Sequence, residues 1–157
     1  MRSGISGEWD YQTDIINELY DSGLVVGIKE EHSDLQKSYN FLKNLNKNLD
    51  IIVAGGSMRR FSFLESAGAN SFLAGVGNLF PEVENKFIHG NNRIAALNIE
   101  AKMFDVFMKH GWHRSLRTAL RLMNLTCFYN RNPWPKDDLD FTGDISDIVN
   151  FLTEIKV

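Results

Sequence analysis

The sequence contains a single cysteine, Cys127, so no internal disulfide can brace the chain. A reducing, cytoplasmic setting is the resulting expectation, and Cys127 reads as a packed apolar residue. No run of about 18 apolar residues occurs, which removes a membrane-spanning helix from consideration. The opening Met1-Arg2-Ser3-Gly4-Ile5-Ser6-Gly7-Glu8 lacks the apolar stretch of a signal peptide. Charge of one sign is also missing. The net charge is −3 with both signs interspersed, so neither a nucleic-acid patch nor an acidic disordered tail is expected. His32, His89, His110 and His113 do not fall at metal-ligand spacing, and no metal or other cofactor is expected.

What remains is a chain of 157 residues with 43% hydrophobic and 11% aromatic content, enough for the core of one globular domain. Its organising stretch is Leu24-Val25-Val26-Gly27-Ile28-Lys29, behind the helix-stopping Gly23. Four apolar residues, two of them valine, predict a short, fully buried strand over Leu24–Ile28. The strand delivers a lysine at its end, followed by Glu30 and Glu31. Catalytic groups project from such strand ends in barrel enzymes, where a lysine amine can attack a carbonyl and form a Schiff base. Its ordinary pKa is about 10.4, so such a role calls for desolvation or a neighbouring cation. A solvated strand end is the plainer reading of the same residues.

In chain order, Arg2–Trp9 reads as a loop, and Asp10 can cap a helix over Tyr11–Asp21 with Ile15, Ile16, Leu19 and Tyr20 on one face. Ser33 can cap a second helix, Asp34–Leu45, whose apolar residues are Leu35, Tyr39, Leu42 and Leu45. A second apolar strand, Asp50–Ala54, runs into Gly55-Gly56-Ser57. A helix over Met58–Ser66, with Phe61, Phe63 and Leu64 apolar, leads through a turn to a third strand, Ser71–Ala74. Three strand–helix units with nearly all-apolar strands predict a parallel sheet covered on both faces. The remainder reads as helical. Pro81 opens one helix, and Asn92–Lys109 forms a second with Ile94, Leu97, Ala101, Phe104 and Met108 on its apolar face. Trp112–Leu125 and a helix from about Gly143 follow, the latter carrying Ile148, Val149, Leu152 and Ile155. Asn130–Asp138, with Pro133 and Pro135, reads as a loop.

A complete barrel of eight such units takes about 250 residues. Three units and a helical tail therefore predict an incomplete barrel: a fragment, half of a split protein, or a chain completed by a partner. A doubly wound sheet of flavodoxin type fits the alternation too, without accounting for the lysine or the tail.

Val25-Val26-Gly27-Ile28-Lys29-Glu30 resembles the Schiff-base strand of the dihydrodipicolinate synthase/N-acetylneuraminate lyase family. The likeness continues through Ile51-Ile52-Val53-Ala54-Gly55-Gly56, then Ala67-Gly68-Ala69-Asn70-Ser71-Phe72, then Gly75-Val76-Gly77-Asn78-Leu79-Phe80-Pro81-Glu82. Leu116–Leu125 and Asn132-Pro133-Trp134-Pro135 are similar to the family's late helix and its Pro-containing loop. The resemblance implies the C-terminal part of a (β/α)8 TIM barrel over residues 1–90 with a helical extension over 91–157, together one domain. It implies an aldolase-type lyase acting on a pyruvate-like keto acid through an imine. Lys29 matches the Schiff-base lysine and Arg2 a carboxylate-binding arginine. Gly55 matches a strand-end glycine beside the substrate, and Phe72 a position lining the pocket by its backbone. No cofactor is implied. The expected partner is a second copy of the chain, as a homo-oligomer, or a complementing N-terminal half. The family's relay tyrosine and its carboxylate-holding turn belong to strands before the matched stretch, and Glu31 stands where a small residue is common. A non-catalytic partial barrel that serves as an interaction or structural module is the alternative.

Overall fold

The computed structural model describes residues 13–90, 92–126 and 145–155. The expected Arg2–Trp9 loop, Asp10 cap and Asn130–Asp138 loop, together with Arg2 and Cys127, lie outside the described residues. The chain divides into two compact units, Met1–Gly75 and Val76–Val157.

The first unit alternates helix and strand: α1 (Thr13–Asp21), β1 (Gly27–Glu30), α2 (Leu35–Lys43), β2 (Asp50–Val53), α3 (Ser57–Leu64) and β3 (Ser71–Phe72). The strands form one parallel sheet in the order β1-β2-β3. Parallel pairing follows from the helical crossovers, since strands joined by a helix return in the same direction. Leu42, Leu45, Leu49, Ile51, Val53, Met58, Phe61 and Leu64 form the buried core of this unit. Gly23, at φ 73°, ends α1, where the Gly23 and Leu24 amides donate to the Tyr20 and Leu19 carbonyls. The Asn70 side chain then ties β3 to β2, accepting from the Ile51 amide at 2.9 Å and donating to Asp50 at 3.1 Å.

Three expectations are corrected here. The first strand begins at Gly27 and is not fully buried; Leu24 and Val26 are 74% and 75% exposed. Among the described residues β1 pairs only with β2, so apolar content alone does not bury it. The second helix is capped by Asp34, not Ser33: the Asp34 carboxylate accepts from the Lys37 amide at 3.0 Å. That bond holds the Asp34 carboxyl below its usual range. Phe63, expected to be part of the apolar face of α3, is exposed, while Phe61 and Leu64 carry that face.

The second unit is helical: α4 (Pro81–His89), α5 (Arg93–His110), α6 (Trp112–Leu122) and α7 (Ser146–Glu154). Pro81 occupies the first turn of α4, where a missing amide costs nothing. Asn92 caps α5 through its side chain and Gly111, at φ 88°, ends it. The buried face of α5 is Ala96, Glu100, Met103 and Phe107. The expected face is displaced from it, with Ile94 and Met108 exposed. This helix is apolar on two sides, so periodicity alone does not choose between them. Phe107 sits at the centre of an aromatic cluster, with ring centroids 5.7 Å from Trp112 and 5.6 Å from Phe151. Among the described residues no helix is long and apolar enough to cross a membrane.

Glu84 of α4 accepts from the Gly77 amide at 2.6 Å, and a side chain at Gly77 would occupy the space of its carboxylate. Burial pushes the Glu84 carboxyl up, the Gly77 bond pulls it down, and Glu100 raises it further. With the folded value above the ordinary 4.5, the native state holds the proton more tightly than the unfolded chain. The resulting stability is present below 4.5 and is lost as pH rises through the folded value. Melting temperatures of the wild type and E84Q, measured from below pH 4.5 to neutrality, are expected to shift in favour of E84Q as pH rises. A pH-independent offset would refute this.

Candidate functional site at the C-terminal sheet edge

Because the strands are parallel, their C-terminal ends lie on one edge. Register aligns Glu30 with Val53 and Val53 with Phe72 across that edge. One residue earlier, Lys29 aligns with Ile52 and Ile52 with Ser71. Side chains alternate along a strand, so these two rows face opposite sides.

The Glu30 row faces the helices. Glu30 is completely buried, and its Oε1 accepts from the His32 amide at 2.8 Å and from Ser38 Oγ of α2 at 2.9 Å. Arg60 of α3 donates to Ser38 Oγ at 2.6 Å and lies 3.7 Å from Glu30 Oε1. Burial pulls the Arg60 guanidinium below its usual range, while Glu30 and Glu31 hold it up. Phe72 shares this side and packs on Phe61 of α3 at a centroid distance of 5.4 Å. Its side chain therefore points away from the Lys29 row.

The Lys29 row faces away from α2 and α3. Lys29 Nζ donates to Glu31 Oε2 at 2.8 Å, and the two side chains are 24% and 34% exposed. The neighbouring group directly paired with the amine is thus an anion; the nearby cation, Arg60, is engaged by Glu30 and Ser38. Gly55 follows β2 at φ 72°, a conformation that favours glycine. A Cβ there would stand 3.3 Å from Glu31 Cγ, so Gly55 leaves room for the Glu31 side chain. Of the residues singled out from sequence, the structure brings Lys29 and Gly55 to one sheet end. It places the backbone of Phe72 at the same end. Arg2 lies outside the described residues. Sequence reasoning missed the Glu30–Ser38–Arg60 network, whose members are scattered polar residues with no shared spacing. Among the described residues no three His, Cys, Asp or Glu side chains cluster as metal ligands would.

Lys29 thus stands at the C-terminal edge of a parallel α/β sheet, the edge from which catalytic groups project in barrel enzymes. Over part of its length the chain resembles the dihydrodipicolinate synthase family in sequence and in fold. It is 28% identical over 127 residues to the 4-hydroxy-tetrahydrodipicolinate synthase of Karelsulcia muelleri (strain GWSS), spanning 76% of this chain and 43% of that relative. The crystal structure of dihydrodipicolinate synthase from Oceanobacillus iheyensis superposes with a TM-score of 0.66 at 20% identity, covering 91% of this chain and 50% of that one. The 4-hydroxy-tetrahydrodipicolinate synthase of Methylacidiphilum fumariolicum SolV gives 0.64 at 20% identity, covering 92% and 51%. The chain thus spans about half the length of the proteins it matches. No family profile matches it.

Proposed function

We propose that the chain is the C-terminal part of a (β/α)8 barrel in an aldolase-type lyase related to dihydrodipicolinate synthase, with Lys29 forming an imine to a pyruvate-like keto acid. The observation that carries this reading is the position of Lys29 at the C-terminal sheet edge, paired with Glu31, whose side chain lies against Gly55. The sequence and fold similarity supports the family-level chemistry. A protonated imine is an electron sink, which stabilises the carbanion that forms next to the former carbonyl. Gly55 and the Phe72 backbone border the substrate, and Arg2 supplies a carboxylate contact. No cofactor enters the reaction. The two units act as parts of one domain, in a cytoplasmic setting. The remaining strands come from an N-terminal half or from assembly with further copies of the chain.

A non-catalytic interaction module is the second reading. It is favoured by the one-sided pairing of β1 among the described residues and by the exposed Leu24 and Val26 beside it. Borohydride reduction in the presence of pyruvate, followed by peptide mass spectrometry, separates the two. Imine chemistry gives a stoichiometric adduct on Lys29 that is lost in K29A. Absence of an adduct on Lys29, or diffuse labelling of surface lysines, favours the interaction module.

A further inference from the structure

We propose that Glu31 is the proton carrier for Lys29 during imine formation. This rests on the reading of Lys29 as the imine-forming residue and adds a second catalytic group to it. The geometry is direct: Glu31 Oε2 is 2.8 Å from Lys29 Nζ, within the reach required of a general acid–base. Both side chains are partly shielded, at 24% and 34% exposure, yet open enough to meet a ligand.

Three features hold the pair in place. Glu31 directly follows β1, two residues after Lys29, and the hydrogen bond between them places both on one side. Glu30, between them, points the other way and is anchored by the His32 amide, Ser38 and Arg60, which fixes the backbone on which both are mounted. Gly55 leaves the space in which the Glu31 side chain lies. Among the described residues, Glu30 and Arg60 face one another on the helix side, Arg60 also feels the charge of Glu31, and Glu31 is the carboxylate that accepts from the amine.

The proton balance suits one carboxylate acting repeatedly. Lys29 starts as an ammonium and ends as a protonated imine, so two of its three nitrogen protons must leave. Both end on the carbonyl oxygen, which departs as water. Glu31 takes the first proton from the ammonium and gives it to the carbonyl oxygen as nitrogen bonds to carbon. It then takes the second from the carbinolamine nitrogen and gives it to the hydroxyl as the carbon–oxygen bond breaks. Glu31 finishes as the carboxylate it began as, beside a cationic imine nitrogen. No further reactant is consumed.

The test measures the rate of Lys29 adduct formation in the full 157-residue chain with pyruvate and borohydride, near neutral pH. E31Q is nearly isosteric and is expected to slow trapping by about 100-fold. The expected sign is informative. Removing a purely electrostatic anion would release the amine from its ion pair and speed trapping. E31A is expected to be slow and to recover in proportion to added formate, a carboxylate small enough to enter the space left by the side chain. E31Q trapping at or above the wild-type rate, or E31A unmoved by formate, overturns the role of Glu31 while leaving Lys29 as the imine-forming residue. No adduct on Lys29 in the wild type overturns both.

Discussion

Replacing Arg60 with methionine is expected to destabilise the fold by about 3 kcal/mol, because it strands the buried Glu30 carboxylate. Glu30 is fully buried and the Arg60 side chain is only 9% exposed, so solvent cannot substitute for the lost guanidinium. The bonds from the His32 amide and Ser38 remain and keep the loss at the lower end of what breaking a buried pair costs. The sharper result comes from the cycle. Removing both charges, as in E30M/R60M, is expected to restore most of the stability, since apolar replacement of a buried pair is often neutral. Urea unfolding of wild type, the two single variants and the double variant measures this. A loss below about 1 kcal/mol for R60M would mean that the charges do not depend on one another.

A second large effect is expected at Phe107. This residue is fully buried and contacts Trp112 and Phe151 through its ring. Its backbone carbonyl also accepts from Ser115 Oγ at 3.0 Å, linking the end of α5 to α6. Phe107→Ala removes a whole ring from an aromatic cluster and is expected to cost about 3–5 kcal/mol. Phe107→Leu, which refills much of the volume, is expected to cost clearly less. Thermal unfolding followed by near-ultraviolet circular dichroism reads both, because the Trp112 signal reports on the same cluster. Equal losses in the two variants would show that the cavity is not what matters.

The helix–strand alternation was legible because apolar runs of strand length alternate with helical periodicity. The position of Lys29 was legible through its surrounding motif more than through its chemistry. Other features were not legible, for particular reasons. Ser33 and Asp34 are both good caps, and only the geometry of the turn decides between them. The α5 helix carries two apolar stripes, and which one is buried depends on where α4, α6 and α7 lie. Glu30 falls just beyond the strand expected from sequence, Leu24–Ile28; its burial depends on Ser38 and Arg60, eight and thirty positions later. The exposure of Leu24 and Val26 is set by which strands flank β1, which the composition of that strand does not encode.

The tight fit at the start of β1 bears on whether a folded chain is also a chemically competent one. A Cβ on Gly27 would lie 2.5 Å from the Asp50 carbonyl oxygen, so only glycine fits opposite Asp50 at this spacing. A slip of one residue would turn Lys29 to the helix side and Glu30 outward. A slip of two would keep Lys29 on its face but carry it about 6.6 Å along the sheet, away from Gly55. The slip of two would still bury much of the same apolar surface, because it keeps every side chain on its own face. In both slips, a residue with a side chain would meet the Asp50 carbonyl. Gly27 has no chemical group to offer, but it makes the alignment that sets the Lys29–Glu31 pair against Gly55 the one that fits.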